Sequence, residues 1–239
     1  MSLQDARILV IGGASGIGFA VAETARSEGA DVTIASTNAA RLEQASARLR
    51  GTKWAQLDLT SEEELASFFA AERPFDHVVS TAGDWGKGRR GPLVEMDFDD
   101  ARSLFEVRFW GAAKLAKHAA GALRENGSLT LTSGMSAFRP AKGTVMATAM
   151  AGSIAHLVYG MAVELAPVRV NGVFPGGVAT EIFHGLPSEV RAAEEARLVG
   201  QPVPRIAEPG EVAEAYLYAM KCSYVTGQVL MVDGGGRLA

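Results

Sequence analysis

Residues 12–18, Gly-Gly-Ala-Ser-Gly-Ile-Gly, join an apolar run, Arg7-Ile8-Leu9-Val10-Ile11, to an amphipathic stretch that begins at Gly16. Their types and spacing suit phosphate binding. Gly12 permits a tight turn, Gly16 lets backbone approach a pyrophosphate, and Gly18 lets a helix pack close to the strand before it. The amides around Ala14, Ser15, Gly16 and Ile17 would then face the phosphates, helped by the partial positive charge of a helix N-terminus. Glycines alone can mark an ordinary turn, but a position between strand and helix favours the binding role.

Such a turn works only if a sheet and its helices hold it. Short β-branched runs alternate with amphipathic stretches along the whole chain. Strands are expected at 7–12, 31–36, 52–57, 76–80, 128–132, 168–174 and 227–232, and helices at 16–28, 39–50, 61–72, 98–124, 144–165, 188–199 and 211–220. Strand–helix alternation implies right-handed crossovers and a parallel sheet covered on both faces. The expectation is one α/β domain over 1–239, doubly wound, with about seven strands. Two stretches break the alternation: 84–96, Gly-rich and charged, and 181–206, which carries three prolines. Both follow strands on the edge where open α/β sheets bind ligands, so both are candidate substrate loops.

Composition narrows the function classes. Hydrophobic residues make up 48% and charged residues 21%, ordinary for a globular protein, and 239 residues suffice for a sizeable core. A net charge of −4 without a Lys/Arg cluster argues against nucleic acid. The first seven residues form no apolar signal region and no apolar run looks long enough to span a bilayer, so no membrane partner is expected. The single cysteine, Cys222, excludes an internal disulfide and fits a reducing, cytoplasmic setting. It is expected as a small buried apolar residue. No His/Cys/Asp/Glu spacing suggests a metal site.

Further segments, in order, turn the glycine turn into a family likeness. Gly12-x-x-x-Gly16-x-Gly18 is followed by Asp58-Leu59, by Ser80-Thr81-Ala82-Gly83, by Val170-Asn171-x-Val173-x-Pro175-Gly176-x-Val178-x-Thr180, and by Val225-Thr226-Gly227-Gln228 with Val232-Asp233-Gly234-Gly235. Over essentially its whole length the chain resembles the short-chain dehydrogenase/reductase family. The likeness implies a Rossmann-type domain and a nicotinamide dinucleotide. Asp58 and Leu59 would hold adenine, Ala82 and Gly83 would flank the cofactor, and Pro175, Gly176, Val178 and Thr180 would cradle the nicotinamide end. It also implies a homodimer or homotetramer built on helices 98–124 and 144–165, and a small-molecule substrate. At the end of the second strand, NAD-preferring members carry a carboxylate for the ribose hydroxyls. Here the chain reads Ser36-Thr37-Asn38 with Arg41 close behind, and nothing repels a 2′-phosphate. NADP(H) is favoured over NAD(H), although the basic residue common before Gly16 in NADP enzymes is Ser15.

The proton-transfer half departs from the family. Its tyrosine and lysine lie at i and i+4 on one helix, with a serine and an asparagine completing the relay. Counting back from Glu164-Leu165-Ala166-Pro167 places the tyrosine at Ala147, the lysine at Ala151, the serine at Gly134 and the asparagine at Arg108. Tyr159, Tyr216, Tyr218 and Tyr224 all lack a lysine four positions on. Ser133 or Thr132 could take over the serine's hydrogen bond. Arg108 could anchor an anionic substrate or stabilise an enolate, or it could sit in a structural ion pair. His184, in the loop after Thr180, could approach substrate, whereas His77, His118 and His156 should face elsewhere. Met146, Met150, Trp85, Phe138 and Phe183 are candidates to line the space left by the small residues. Two functions fit: an NADP(H)-dependent oxidoreductase that reduces an activated acceptor (enone, imine or quinone) by a non-standard proton route, or a catalytically silent cofactor-binding protein acting as redox sensor or partner subunit. The catalytic residues stay unassigned.

Overall fold

A computed structural model describes residues 2–72, 74–83 and 90–239. Strands β1 (Arg7–Ile11), β2 (Asp31–Ser36), β3 (Lys53–Gln56), β4 (Phe75–Ser80), β5 (Leu123–Thr132), β6 (Arg169–Pro175) and β7 (Val229–Val232) form one sheet in the order β3-β2-β1-β4-β5-β6-β7. Every pairing is parallel. The order reverses between β1 and β4, whose register pairs Ile11 with Ser80. The turns after these two strands therefore stand side by side at the C-terminal edge, where such sheets open a crevice for ligands.

Burial explains the strand types. Ile8, Leu9, Val10 and Ile11 are essentially inaccessible, as a strand covered on both faces requires, and β6 is buried throughout. At the sheet edge, β3 leaves Lys53, Trp54 and Gln56 exposed, and the edge lysine discourages pairing with another chain. Helices α1 (Gly16–Ser27), α2 (Ala39–Arg48) and α9 (Pro209–Lys221) bury one apolar cluster against one face of the sheet. On the other face lie α3 (Glu62–Ala71), α4 (Phe98–Phe105), α5 (Ala112–Ala119) and α6 (Val145–Glu164), which cover a second. Two short helices, α7 (Glu181–His184) and α8 (Ser188–Ala196), interrupt the segment between β6 and α9.

Local chemistry sets the boundaries. Asn38 caps α2 by accepting from the Arg41 amide (3.0 Å), Ser61 caps α3 through the Glu64 amide (3.2 Å), and Asp97 caps α4 through the amides of Asp99 and Asp100. A capping box between Glu208 and Glu211, with Pro209 at the first helical position, starts α9 two residues earlier than the apolar pattern suggests. The single helix expected over 98–124 is instead α4, a π-helical turn at Glu106–Gly111, and α5. Its far end gives way to β5, which starts at Leu123 because Leu123 pairs with Phe75 across a register shift.

The Val170-Asn171 and Val225-to-Gln228 motifs turn out to be a clamp. Asn171 Nδ2 donates to the Val225 carbonyl (2.9 Å) and its Oδ1 accepts from the Gln228 amide (3.1 Å), which locks β7 beside β6. The buried Arg169 guanidinium donates to the carbonyls of Ala219, Met220 and Cys222, satisfying the C-terminal end of α9. Cys222 itself is half-buried, not buried as expected, because it caps this helix. Against the expectation of no such run, α6 is long and apolar enough to cross a membrane by length and composition. One side of it, Ala147, Met150, Ala151, Ile154, Ala155 and Val158, is buried in the core. Its other side leaves Tyr159 and Val163 exposed.

Candidate dinucleotide site

The turn after β1 is drawn tight by its own amides. Gly12, at φ +85°, donates to the Ala35 carbonyl of β2 (2.8 Å). A Cβ at Gly12 would stand 2.5 Å from Thr81 Oγ1 and 2.8 Å from the Ala82 nitrogen, and one at Gly18 would run into the Gly12 carbonyl. Thr81 fixes the approach: both its amide (2.8 Å) and its hydroxyl (3.1 Å) donate to the Ile11 carbonyl. Only hydrogen side chains let the first turn of α1, the strand end and the Ala82-Gly83 segment meet this closely. Ser15 occupies the N-cap of α1 without a capping hydrogen bond, so the amides of the first turn are not taken by a side chain. This cradle fits a dinucleotide pyrophosphate.

Its wall comes from the segment after β6. Gly16, at φ +53°, faces Thr180, whose Cγ2 is 3.1 Å from where a Cβ would be, and the Glu181 carboxylate lies just beyond at 3.5 Å. Pro175 closes β6, the Gly176 amide donates to the Val232 carbonyl (3.0 Å), and Val178 bridges to Ala207. The Pro175–Thr180 residues are thus brought to the phosphate turn.

At the opposite end, Ser36 finishes β2 beside the exposed start of α2, which carries Arg41. Asn38 Oδ1 is occupied as the cap of α2, so donation toward a 2′-phosphate falls to its Nδ2. The Thr37 carbonyl is held by Gln56 Nε2 (3.1 Å). Asp58 Oδ1 accepts from the Thr60 amide and hydroxyl (both 2.8 Å), so it also shapes the turn into α3. Leu59 is buried, and a Cβ on Gly111 would stand 2.9 Å from its Cβ.

The reacting end differs from expectation in three places. Thr132 Oγ1 donates to the Ser80 carbonyl (2.6 Å), which leaves it the acceptor of the Tyr216 hydroxyl (2.6 Å). Ser133 Oγ donates to the Ala151 carbonyl (3.1 Å). Both hydroxyl hydrogens are thus committed to backbone carbonyls of the chain itself. Of the candidate pocket lining, Met146 is partly buried against the core. Met150 is buried in the core, Phe138 meets Phe174 at a 46° tilt with ring centroids 5.9 Å apart, Phe183 lies edge-on to His184, and Trp85 lies outside the described residues. Arg108 does point inward: its guanidinium covers Gly83, with Nε 2.6 Å from the place of a Gly83 Cβ.

Sequence reasoning missed Tyr216. It sits on α9 with core spacing, so nothing in the pattern separates it from Val212 or Ala213. It is fully buried, and burial pushes its phenol well above the ordinary range despite the Thr132 hydrogen bond and the nearby Arg108 charge. Among the histidines, His77 is buried with Nδ1 2.9 Å from Ser128 Oγ, and desolvation, then Arg169, lowers its pKa to about 4. His118 pairs with Glu62, His156 is exposed on α6, and His184 ends α7. Among the described residues no cluster of His, Cys, Asp and Glu could hold a metal.

The described parts of the candidate substrate loops converge. The Gly91 amide donates to the Gly143 carbonyl (2.9 Å), and Arg90 pairs with Glu194 of α8. A cleft of about 310 Å³ opens there, lined by Arg90, Gly91, Pro92, Lys142 and Gly143.

Comparison with known proteins agrees with this architecture. A family model described as Enoyl-(Acyl carrier protein) reductase matches residues 12–236. The short-chain dehydrogenase/reductase ucsE of an Acremonium species is 33% identical over 260 residues, spanning 99% of this chain and 97% of that protein. The solved MalC reductase/Diels-Alderase of Malbranchea aurantiaca superposes with a TM-score of 0.90 at 32% identity, covering 99% of this chain and 97% of that one. A small-chain dehydrogenase solved in complex with NADPH gives a TM-score of 0.85 at 34% identity over 99% and 100% of the two chains.

Proposed function

The chain belongs to the short-chain dehydrogenase/reductase family and is an oxidoreductase of that family, and from this premise we propose that it uses NADP(H) to reduce an activated acceptor such as an enone, imine or quinone. The observation that carries the reading is the pairing of a complete phosphate cradle, Gly12, Gly16 and Gly18 against Thr81 and Thr180, with methyl side chains at Ala147 and Ala151. When bound, NADPH supplies a hydride. Residues of this chain bind and orient: first-turn amides of α1 for the pyrophosphate, Ser36, Asn38 Nδ2 and Arg41 for the 2′-phosphate, Asp58 for adenine, Thr180 for the nicotinamide side. The hydroxyl hydrogens of Thr132, Ser133 and Tyr216 are committed to internal acceptors, so the reduced acceptor takes its proton from water. An electron-poor acceptor tolerates that route and a simple ketone does not.

We read the protein as a cytoplasmic homo-oligomer. Phe98 and Trp110 from the α4–α5 segment, with Tyr159 and Val163 of α6, leave large apolar side chains exposed; burying them against a second copy would satisfy them.

Calorimetric titration with NADPH and then NADH tests the cofactor, followed by NADPH oxidation with a cyclic enone, a cyclic imine, a quinone and a simple ketone. Tighter NADPH binding and turnover confined to the first three acceptors is expected. Binding without any turnover would favour the silent cofactor-binding protein, and no binding would sink both.

A further inference from the structure

We infer that Arg108 is a cofactor-binding residue whose guanidinium takes the hydroxyls of the nicotinamide-side ribose; the inference rests on the cofactor reading above. The path of the ligand follows from the cradle. A pyrophosphate seated on the first turn of α1 lies in the crevice between β1 and β4, and its second half must leave along the turn after β4. That turn is Thr81-Ala82-Gly83, pinned to β1 by Thr81 and pressed against Gly12 and Gly18. Arg108 covers Gly83 so closely that a Cβ there would fall inside the guanidinium. Gly83 is thus the residue that admits this cation to the crevice.

The backbone around Arg108 is shaped to the same end. It lies in the middle of the π-helical turn Glu106–Gly111, between α4 and α5, and such turns displace a side chain from its ordinary helical direction. Gly111 closes the turn against Leu59, next to the adenine candidate Asp58. One widened turn therefore touches the adenine loop at one end and the Ala82-Gly83 segment at the other. From α6, Ala151 meets the end of β5 through its carbonyl, which accepts from Ser133, and contributes only a methyl side chain. The chemistry matches a ribose: a guanidinium offers five donors in a fixed fork and accepts nothing, and vicinal hydroxyls are paired acceptors.

The test compares two ligands that differ by the nicotinamide half. NADPH carries the ribose in question; 2′,5′-ADP has the 2′-phosphate and adenine but not that ribose. Dissociation constants are measured by calorimetry for wild type, R108Q and R108K. R108Q should weaken NADPH roughly tenfold or more, as loss of a charge-assisted hydrogen bond does, and leave 2′,5′-ADP within about twofold. R108K, a point charge without the fork, should fall between. NADPH affinity unchanged in both variants overturns the inference. Equal loss of both ligands also overturns it, since that marks damage to the fold. Should R108Q not fold, R108K carries the test by the same comparison. Wild type that binds neither ligand overturns the cofactor reading itself, whereas wild type that binds both, with unaltered variants, overturns the role of Arg108 alone.

Discussion

Glu181 makes the phosphate cradle electrostatically imperfect, and removing its charge should improve it. The carboxylate oxygen lies 3.5 Å from the position of a Cβ on Gly16. A phosphate on the first-turn amides of α1 would come within about 5 Å of it. At that separation two unit charges repel by about 0.8 kcal/mol in a water-like dielectric and by about 3 kcal/mol at an effective dielectric of 20. Glu181 is exposed, so the lower figure applies, and it corresponds to roughly fourfold in affinity. E181Q should therefore bind NADPH about three- to fivefold more tightly at low ionic strength, and the gain should shrink as salt screens the pair. The same carboxylate opens α7, where a negative charge favours the helix terminus, so melting should shift slightly downward. Tighter binding with lower thermal stability is a signature that a general loosening of the fold would not produce. Calorimetry at low and high salt reads both. Unchanged or weaker binding at low salt refutes the reasoning and makes Glu181 an acceptor for the ligand instead.

Three further outcomes are expected. The buried His77, with its pKa lowered to about 4 against an ordinary 6.5, binds its proton more readily unfolded than folded. Its contribution is therefore complete above about pH 6.5 and lost as pH falls toward 4, by about 3 kcal/mol at most; H77Q should flatten that slope in denaturant melts across the window. Y216F removes the donor to Thr132 but leaves the Thr132–Ser80 bond, so unfolding measurements should show a loss of about 1–2 kcal/mol, with NADPH affinity unchanged. On the proposed reading, A147Y/A151K would supply the family's acid–base pair and should bring measurable reduction of a simple ketone, at a cost of about 1–3 kcal/mol because both alanines are buried. Persistent inactivity with NADPH bound would show that the hydride donor is misplaced for such substrates.

Periodicity and turn chemistry made the sheet legible. The run Ile8–Ile11 is apolar on both faces, and only a covered parallel strand accommodates that. Glycines at 12, 16 and 18 announced the turn: Gly12 and Gly18 meet the backbone of Ala82 and Gly12, and Gly16 meets the Thr180 side chain. Less legible were features that depend on where one side chain lands. The π turn at Arg108 has ordinary helical composition, and Tyr216 repeats at core spacing. Thr132 and Ser133 read as free hydroxyls in the sequence, since their acceptors, Ser80 and Ala151, lie far along the chain. Arg169 could be read only as part of the expected strand 168–174, although its guanidinium fastens a helix end some fifty residues away.

That fastening bears on motion. The segment between Pro175 and Pro209 leaves from a strand and returns to a helix that Arg169 ties together, and its neck is pinched where Val178 meets Ala207. Beyond the neck, the two ends are fastened to the body, by Thr180 against Gly16 and by buried Leu198 and the Val203 amide on the Gly234 carbonyl (2.9 Å), whereas α8 has no buried side chain and is tied by Arg90 to Glu194. Helix α8 can therefore open without loosening the sheet beneath it, so its amides should exchange with solvent far faster than those of β6 or α9. Entry and exit of a ligand would then be timed by a local opening whose rate rises with salt, while the melting temperature of the domain stays where it is.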